Sequence, residues 1–228
     1  MDKIDENITI GIELEFVSYY INELEHLKEN IPVKRWKVSD DASVKIPGVS
    51  NGKEIQSPIL RYTEKDIIEI KKICDFLESK KFFTNSTCGG HIHLGSDYIE
   101  TIDEYLTLVT LYNKVERIMY LITNKKDTVI RHGVTKYAKS NKELYKNIQN
   151  FRLALGNFIY EDDYNLKRFS KTIQNMYLAN YDDRYLGLNL QNFKGLYKPS
   201  TIEFRLANGE INFNELFINI TLYCRLLM

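Results

Sequence analysis

The sequence predicts an α+β domain in which helices pack on the outer face of a curved, mainly antiparallel β-sheet. Short strand-like segments occur in both halves of the chain and have helical segments between them. Some of the turns are too tight for a parallel crossover, which needs a dozen or more residues. No repeat or Pro/Gly-rich linker divides the chain, so we expect one domain over residues 1–228.

The first predicted strand covers residues 9–17, where apolar and polar side chains alternate with a period of two. Its polar face carries Glu13 and Glu15. Shorter segments with alternation, or with β-branched and aromatic residues, are also predicted as strands: 36–44, 53–57, 91–94, 185–190 and 201–206.

A core helix is predicted over residues 103–123, because its apolar side chains recur at spacings of three and four. N-capping residues indicate three further helix starts: Thr63, Thr101 and Ser140. A glutamate follows three residues after both Thr101 and Ser140, as in a capping box. These helices complete the predicted α+β pattern.

The composition excludes several classes of protein. Its 31 basic and 31 acidic residues balance, so no overall basic field favours nucleic acid or a membrane surface as partner. The three cysteines show no CxxC spacing, which predicts reduced thiols and a cytoplasmic location. An apolar secretion signal and an apolar run of membrane-spanning length are both absent from the sequence.

Two pairs of residues form candidate sites on predicted strands. Glu13 and Glu15 project from one strand face, where two carboxylates are costly in a concave interior unless a cation neutralises them. His91 and His93 share a strand face behind Gly89-Gly90, and imidazole is a common metal ligand. Taken alone, the two glutamates are also consistent with a solvated strand face. The two histidines are equally consistent with an ordinary, partly buried pair that binds nothing.

Two further motifs carry polar side chains. Glu203 and Arg205 lie on one face of the 201–206 strand. They are either a surface ion pair, or Glu203 binds a cation and the Arg205 guanidinium beside it binds phosphate. Residues 36–43 and 52–58 predict two strands joined at Pro47-Gly48, with Asp41, Ser43 and Glu54 as candidate polar groups. Aspartate and serine are also common turn residues.

The order of these motifs resembles that of the amidoligase family, which is related to glutamine synthetase and glutamate–cysteine ligase. The motifs are GIELEF, then D-x-S with a G-x-E-x-x-S-P element, then CGGHIHLG, then EFR with Asn208-Gly209 just after it. The resemblance extends from Ile8 to about Asn212. It implies a sheet forming a funnel, like that of the glutamine synthetase catalytic domain, which binds ATP with two or three magnesium or manganese ions.

The resemblance also implies roles for individual residues. Glu15 and Glu54 match carboxylates of the metal beside the substrate. The metal that bridges the ATP phosphates matches Glu13, His91 and Glu203. Candidate catalytic residues are Arg205, which matches the phosphate-binding arginine, with Glu54 and His93. Apart from the resemblance, Arg184 and Asn189 are candidates, with Arg205, for nucleotide or substrate contacts, or they belong to an ordinary strand. Asp41 and Ser43 match a family pattern to which the sequence assigns no chemical role.

The implied activity is ATP-dependent ligation of a carboxylate and an amine through an acyl phosphate. Hard carboxylate oxygens suit Mg²⁺, and an imidazole makes Mn²⁺ an acceptable substitute. The substrates implied are small-molecule amines and carboxylates, or a peptide or protein acceptor, and the oligomeric state is left open. The sequence departs from the family at Glu210, where relatives commonly carry a small hydroxyl residue. Relatives also often continue beyond the helix-like stretch 214–228, so C-terminal truncation is an open alternative.

Two other functions remain alternatives at this stage. A metal-dependent hydrolase would use the histidines and carboxylates to hold an ion and its nucleophilic water. That reading leaves Arg205 and the other distributed acidic residues without a role. A catalytically inactive nucleotide-binding module on the same scaffold is favoured by Glu210 and by the short C-terminus.

Overall fold

In the residues that the computed structural model describes, 3–123, 138–155, 169, 171–172, 185–193 and 199–228, seven strands form one open sheet. The strands are β1 (Thr9–Phe16), β2 (Lys37–Ile46), β3 (Ser50–Gln56), β4 (Leu60–Arg61), β5 (Gly89–Gly95), β6 (Leu188–Asn189) and β7 (Thr201–Asn208). Their order is β2-β3-β1-β5-β7-β6, with β4 paired to β1. All of these pairings are antiparallel, which confirms the predicted sheet type.

The helices supply the second layer of this α+β fold. They are α1 (Ile21–Glu25), α2 (Leu27–Asn30), α3 (Glu64–Ser79), α4 (Ile102–Thr123), α5 (Lys142–Leu155) and α6 (Phe213–Leu227), with a 3₁₀ turn at Ser96–Tyr98. Within the described part of the chain, no helix is both long and apolar enough to cross a bilayer.

One face of the sheet forms the core together with the helices. Ile10, Ile12 and Leu14 alternate along β1 with polar residues and are buried. Helices α3, α4 and α6 contribute apolar side chains to the same cluster: Ile70, Ile73, Leu77, Tyr105, Val109, Tyr112, Leu216, Ile220 and Tyr223. Each such side chain stabilises the fold by about 1.5–3 kcal/mol when it leaves water. The intervening polar side chains of β1 therefore point to the other face.

Two of the three predicted helix starts agree with the capping contacts, whereas the capping box predicted at Ser140 is wrong, because α5 begins at Lys142 and the Ser140 hydroxyl donates to Glu116 instead. The Thr101 Oγ1 accepts a hydrogen bond from Glu104 N, and Glu104 Oε2 accepts one from Thr101 N at 2.9 Å, which confirms the capping box. Thr63 accepts a bond from the backbone of Asp66 at the start of α3. Helices α1 and α2 and strand β4 were not predicted, because elements of two to five residues are too short to show a period.

The strand predicted over 185–190 is wrong in its extent, since only Leu188–Asn189 pairs with β7 as a strand. The carboxamide of Asn141 forms hydrogen bonds with both backbone groups of Leu188. It donates to the carbonyl oxygen at 2.9 Å and accepts from the N–H at 2.9 Å. Tyr185 and Gly187 exchange backbone bonds with Lys139. The outer edge of this segment is therefore bonded to the chain before α5 instead of to another strand.

Candidate functional site

Strand register brings glutamates and a histidine from three segments together on the polar face of the sheet. Glu13 of β1 lies opposite His91 of β5, and Glu15 lies opposite Glu54 of β3. Directly opposed residues of antiparallel strands have Cβ atoms roughly 4.5–5.5 Å apart. Side chains up to 78 positions apart in sequence thus meet at one place.

Strand β7 completes this arrangement on the other side of β5. His93 lies opposite Glu203, and Glu203 in turn lies opposite Asn189 of β6. The Asn189 Nδ2 donates a hydrogen bond of 2.6 Å to Glu203 Oε2, and both side chains are buried. Asn189 thereby fixes one oxygen of a glutamate whose other oxygen faces the histidines.

Glu13, His93 and Glu203 form what we call the histidine group. One ligand atom from each lies within 4.8 Å of the others. His93 Nε2 is 3.3 Å from Glu13 Oε1 and 3.9 Å from Glu203 Oε1. This nitrogen is buried and forms no aligned hydrogen bond with any described residue. A buried polar atom in that state costs about 1–3 kcal/mol unless something else satisfies it.

Glu15, Asp41 and Glu54 form what we call the acidic group, in which one oxygen from each also lies within 4.8 Å of the others. Glu15 is buried and accepts a 2.6 Å bond from the Gly89 N–H. Asp41 accepts bonds from the backbone and hydroxyl of Ser43 at 2.8 and 2.6 Å. The D-x-S motif thus orients Asp41, and Ser43 lies one contact away from the group.

His91 lies between the two groups and belongs to neither. Its Nδ1 is 2.9 Å from Glu13 Oε2 and 3.9 Å from Glu203 Oε1, while its Nε2 is 3.8 Å from Glu15 Oε1. The ring is buried, with 5% of the residue exposed. The family resemblance implies His91 as the imidazole beside Glu13 and Glu203, and in the structure both His91 and His93 lie next to these two carboxylates.

The electrostatics of the histidine group reflect charge pairing in a buried place. Burial raises the pKa of Glu13, but the adjacent imidazoles of His91 and His93 lower it more, so its pKa lies well below the ordinary value. Burial lowers the pKa of His93, and the carboxylates of Glu13 and Glu203 raise it more, for a net increase. Carboxylate and imidazole thus stabilise each other's charged forms.

The acidic group behaves differently because it holds like charges. Burial, followed by the negative charges of Glu13 and Glu15, raises the pKa of Glu54 to about 7, although a hydrogen bond from Gln56 opposes the shift. The Gln56 Nε2 donates to Glu54 Oε1 at 2.6 Å. Three carboxylates gathered in this way favour a proton or a cation.

Both groups fit a divalent cation by the chemistry of their donors. Carboxylate oxygens are the ligands that Mg²⁺ prefers, and an imidazole beside carboxylates also suits Mn²⁺. The buried Nε2 of His93, without an aligned partner among the described residues, is the kind of atom that a cation would satisfy. Glu13 and Glu15 are separated by one residue of β1, so the two carboxylates leave the strand about 7 Å apart or less.

Arg205 enters the site through an irregularity of the sheet. The register between β5 and β7 shifts so that Arg205 and Leu206 together oppose His91. Such a bulge re-aims the side chains next to it. The Arg205 guanidinium forms an ion pair with Glu203 Oε1 and is mostly buried. A fixed guanidinium therefore borders the histidine group, and its planar fork suits phosphate.

A cavity of about 370 Å³ adjoins the histidine group at the start of β1. Glu13 and His93 contribute to its lining, and the remaining lining residues are uncharged. They include Gly11, Gln56, Pro58 and Pro199. Its size and its mostly uncharged walls are those of a site for a small molecule.

The structure assembles most of the residues that the sequence singled out. Arg184 lies outside the described residues. Glu210, where the sequence departs from the family, accepts a 2.7 Å bond from the Asn212 N–H where α6 begins. The sequence assigned no role to Asp41. Its place in the acidic group could have been predicted from the D-x-S motif, because the strand with that motif pairs with the strand that carries Glu54.

Fold and site together define a class of α+β proteins whose open antiparallel sheet gathers carboxylates, imidazoles and a guanidinium on one face. The sequence profile of a family described as "Putative amidoligase enzyme" matches residues 6–227. The match covers nearly the whole chain, so the chain belongs to this family. No curated protein matches the chain.

Proposed function

We propose that this protein is an ATP- and Mg²⁺- or Mn²⁺-dependent carboxylate–amine ligase. The observation that carries the proposal is the pair of cation-fitting groups side by side on one sheet face, with Arg205 next to one of them. Membership of the family supports ligation as the reaction class. On this proposal the sheet is the curved, funnel-forming scaffold of the glutamine synthetase type.

The two groups have different tasks in this proposal. Glu13 and Glu203, with the histidines of β5, would hold the ion nearer the nucleotide, because the cavity and Arg205 lie on their side. Glu15, Asp41 and Glu54 would hold the ion nearer the substrate carboxylate. Cations at these places offset the charge of the transferring phosphoryl group, and the residues here only position them.

The chemistry consists of two displacements. A substrate carboxylate oxygen attacks the γ-phosphorus of ATP, the bond to the β–γ bridging oxygen breaks, and ADP leaves. The amine nitrogen then attacks the acyl carbon, the bond to phosphate breaks, and an amide and inorganic phosphate result. The guanidinium of Arg205 stabilises charge on the phosphoryl group in the first step. Asn189 holds Glu203 in place for both steps.

The substrate is an amino acid, a peptide or a protein side chain. The test is a screen for ADP release over amino acids and peptides with Mg²⁺ or Mn²⁺, followed by mass spectrometry of the products. Glu203→Gln should reduce turnover to background, while Glu100→Gln, an exposed glutamate outside both groups, should leave it unchanged. Turnover with metal alone would show a hydrolase. Tight ATP binding without ADP release in any combination would show an inactive nucleotide-binding module.

A further inference from the structure

Strand β2 leaves the plane of the sheet near its end and crosses over β3. Asp41 pairs with Gly52 and Lys45 pairs with the next residue of β3, Asn51, so residues 42–44 have no partner on β3. Gly52 precedes Glu54 by two residues, so a side chain at position 52 would point to the polar face. The Cγ1 of Val44 lies only 2.3 Å from where that Cβ would be. Val44 therefore crosses the polar face directly above Gly52.

Val44 continues the crossing as far as β1 and the residue before β5. With Val17 and Cys88 it forms a small apolar cluster that is separate from the main core, and all three residues are fully buried. Val17 follows Glu15 by two residues of extended chain, so both point to the same face of the sheet. We call residues 42–49, the end of the β2–β3 hairpin, the flap. The flap thus lies over the end of the polar face that carries the acidic group.

The two glutamates of β1 differ in exposure in the same sense. The side chain of Glu13, next to the cavity, is 24% exposed, whereas that of Glu15 is 5% exposed. Among the described residues, the flap extends over the Glu15 end. A substrate carboxylate that is to reach the acidic group therefore needs an opening at an end of the site that is closed in this structure.

A small set of described contacts holds the flap down. Within residues 42–49, Val44 is buried, Ile46 is half-buried and the other described side chains are exposed. The Lys45 N–H donates to Thr87 Oγ1 at 3.1 Å, and the Lys45 carbonyl accepts from Asn85 Nδ2 at 3.0 Å. Segments that bury so little apolar surface open at a low free energy while the core stays folded.

The surface on which the flap rests is fixed more firmly. Phe83 and Val17 exchange two backbone hydrogen bonds, at 2.9 and 3.0 Å. The carbonyl of Cys88 accepts a bond from the Gly209 N–H at 3.1 Å, which ties the loop before β5 to the end of β7. The flap is therefore the part of this contact that can move.

We propose that residues 42–49 are a flap that opens without unfolding of the rest of the protein, with the bulge after Asp41 as its hinge, and that its opening admits the substrate carboxylate to the acidic group. The gating role rests on the proposed function, whereas local opening of the flap does not. Closure over a bound substrate excludes water, which protects an acyl phosphate from hydrolysis.

The three buried cysteines of the chain report on this opening. Cys88 belongs to the cluster that the flap closes, whereas Cys74 and Cys224 belong to the main core. The test is slow alkylation of the native full-length protein, with each cysteine quantified by mass spectrometry of its peptide. In dilute urea the rate at Cys88 should change little, because local opening exposes little surface, while the rates at the core cysteines should rise steeply.

Two valine substitutions on β2 separate local from global opening. Val44→Ala should accelerate alkylation of Cys88 about tenfold or more, because the flap loses two buried methyl groups. Val38→Ala is the matched control, since Val38 lies on the same strand but packs against the main core. It destabilises the flap-open and flap-closed forms alike, so it should accelerate Cys74 and Cys224 and leave Cys88 unchanged. Equal acceleration of all three cysteines in Val38→Ala, or an unchanged Cys88 rate in Val44→Ala, would overturn the flap.

A disulfide between the flap and the surface beneath it tests the gating role. Val44→Cys introduces a partner for Cys88, and Lys45→Cys with Thr87→Cys in a Cys88→Ala background is the second pair. With the bond confirmed by mass spectrometry, the oxidised protein should lose turnover of the substrate found by the ADP-release screen, and reduction should restore it. Full turnover in the oxidised form would overturn the gating role. Selective opening at Cys88 in a protein that releases no ADP with any substrate would overturn the ligase and the gating role together, and would leave the local opening standing.

Discussion

At the scale of single residues, the site depends on which atoms of a side chain are already engaged. Glu203 is held through one oxygen by Asn189 and pairs through the other with Arg205. The buried carboxylate of Glu203 therefore orients the guanidinium of Arg205. A substitution that keeps charge but changes shape therefore tests geometry separately from electrostatics.

Arg205→Lys is expected to lower turnover about 10²-fold or more while ATP affinity falls much less, on the precedent of single electrostatic donors in other active sites. Lysine keeps the positive charge but replaces a planar fork with a single donor point. A contact stronger in the transition state than in the ground state reduces the rate when it is lost. Steady-state kinetics and nucleotide titration measure both quantities. Near-normal turnover with changed ATP affinity would make Arg205 a nucleotide-binding residue only.

The acidic group predicts a pH-dependent stability in the metal-free protein. The pKa of Glu54 is raised to about 7 in the folded state, so its stability contribution is present below the ordinary pKa and is lost as pH rises through 7. Glu54→Gln removes this loss. In chelator, the variant should match wild type at pH 4.5 and exceed its free energy of unfolding at pH 8.

Urea unfolding at both pH values measures this difference, with Glu100→Gln as the exposed control. A variant that is less stable than wild type at pH 8 in chelator would show that Glu54 has a structural role. The same variant should lose the stabilisation that Mg²⁺ or Mn²⁺ gives to wild-type protein, since ligands that bind the folded state stabilise it.

At the scale of elements, close backbone approach between β5 and β7 sets the spacing of the site. A Cβ at Gly90 would lie 2.6 Å from the carbonyl oxygen of Asn208, closer than real contacts allow. This glycine immediately precedes His91, next to the register shift opposite Arg205 and Leu206. The glycine is needed because the strands approach here, and the alignment of the histidines with β7 depends on that approach.

Gly90→Ala should therefore lower both stability and Mn²⁺ affinity, the former by about 1–3 kcal/mol as for other overpacked sites. Thr101→Ala is the matched control, because it removes the α4 N-cap at a cost of about 1 kcal/mol without touching the sheet. Chemical denaturation and Mn²⁺ titration measure the two effects. Equal ion affinity in the two variants would mean that the β5–β7 spacing does not set the site.

At the scale of the whole molecule, the sheet has two chemically different faces. Its apolar face packs on α3, α4 and α6, and its polar face collects the acidic and histidine groups. Like charges gathered there repel unless cations or protons neutralise them. Nucleotide binding at this face should therefore be coupled to the ions, because ATP brings further negative charge.

ATP is expected to bind weakly or not at all without Mg²⁺ or Mn²⁺. Calorimetric titration of ATP in the presence of the metal and in chelator measures the coupling. Unchanged ATP affinity in chelator would show that the nucleotide does not meet the ions, and would move its site away from the histidine group. Glu203→Gln should reduce the difference between the two conditions because it removes an ion ligand.

Much of the fold follows from local patterns. The alternation of β1, the three- and four-residue spacing in α4 and the capping box at Thr101 are each readable within a few residues, and each is found. The alternation of side chains predicted the wrong strand bounds at 185–190, a segment whose backbone bonds to residues far away in the sequence. Of the segment 185–190 only Leu188–Asn189 is a strand, and its outer edge is bonded to Asn141, 47 positions earlier in the chain.

The sequence by itself determined the α+β class, the faces of the strands and the motif order that places the chain in its family. Residue types and a period of two are enough for that, because they are local properties. Only the tertiary structure decided which carboxylates and imidazoles lie close together. These positions depend on the strand register and on the bulge between β5 and β7. Register and bulge can move a side chain by one residue relative to the neighbouring strand, while the alternation of apolar and polar residues in the sequence stays the same.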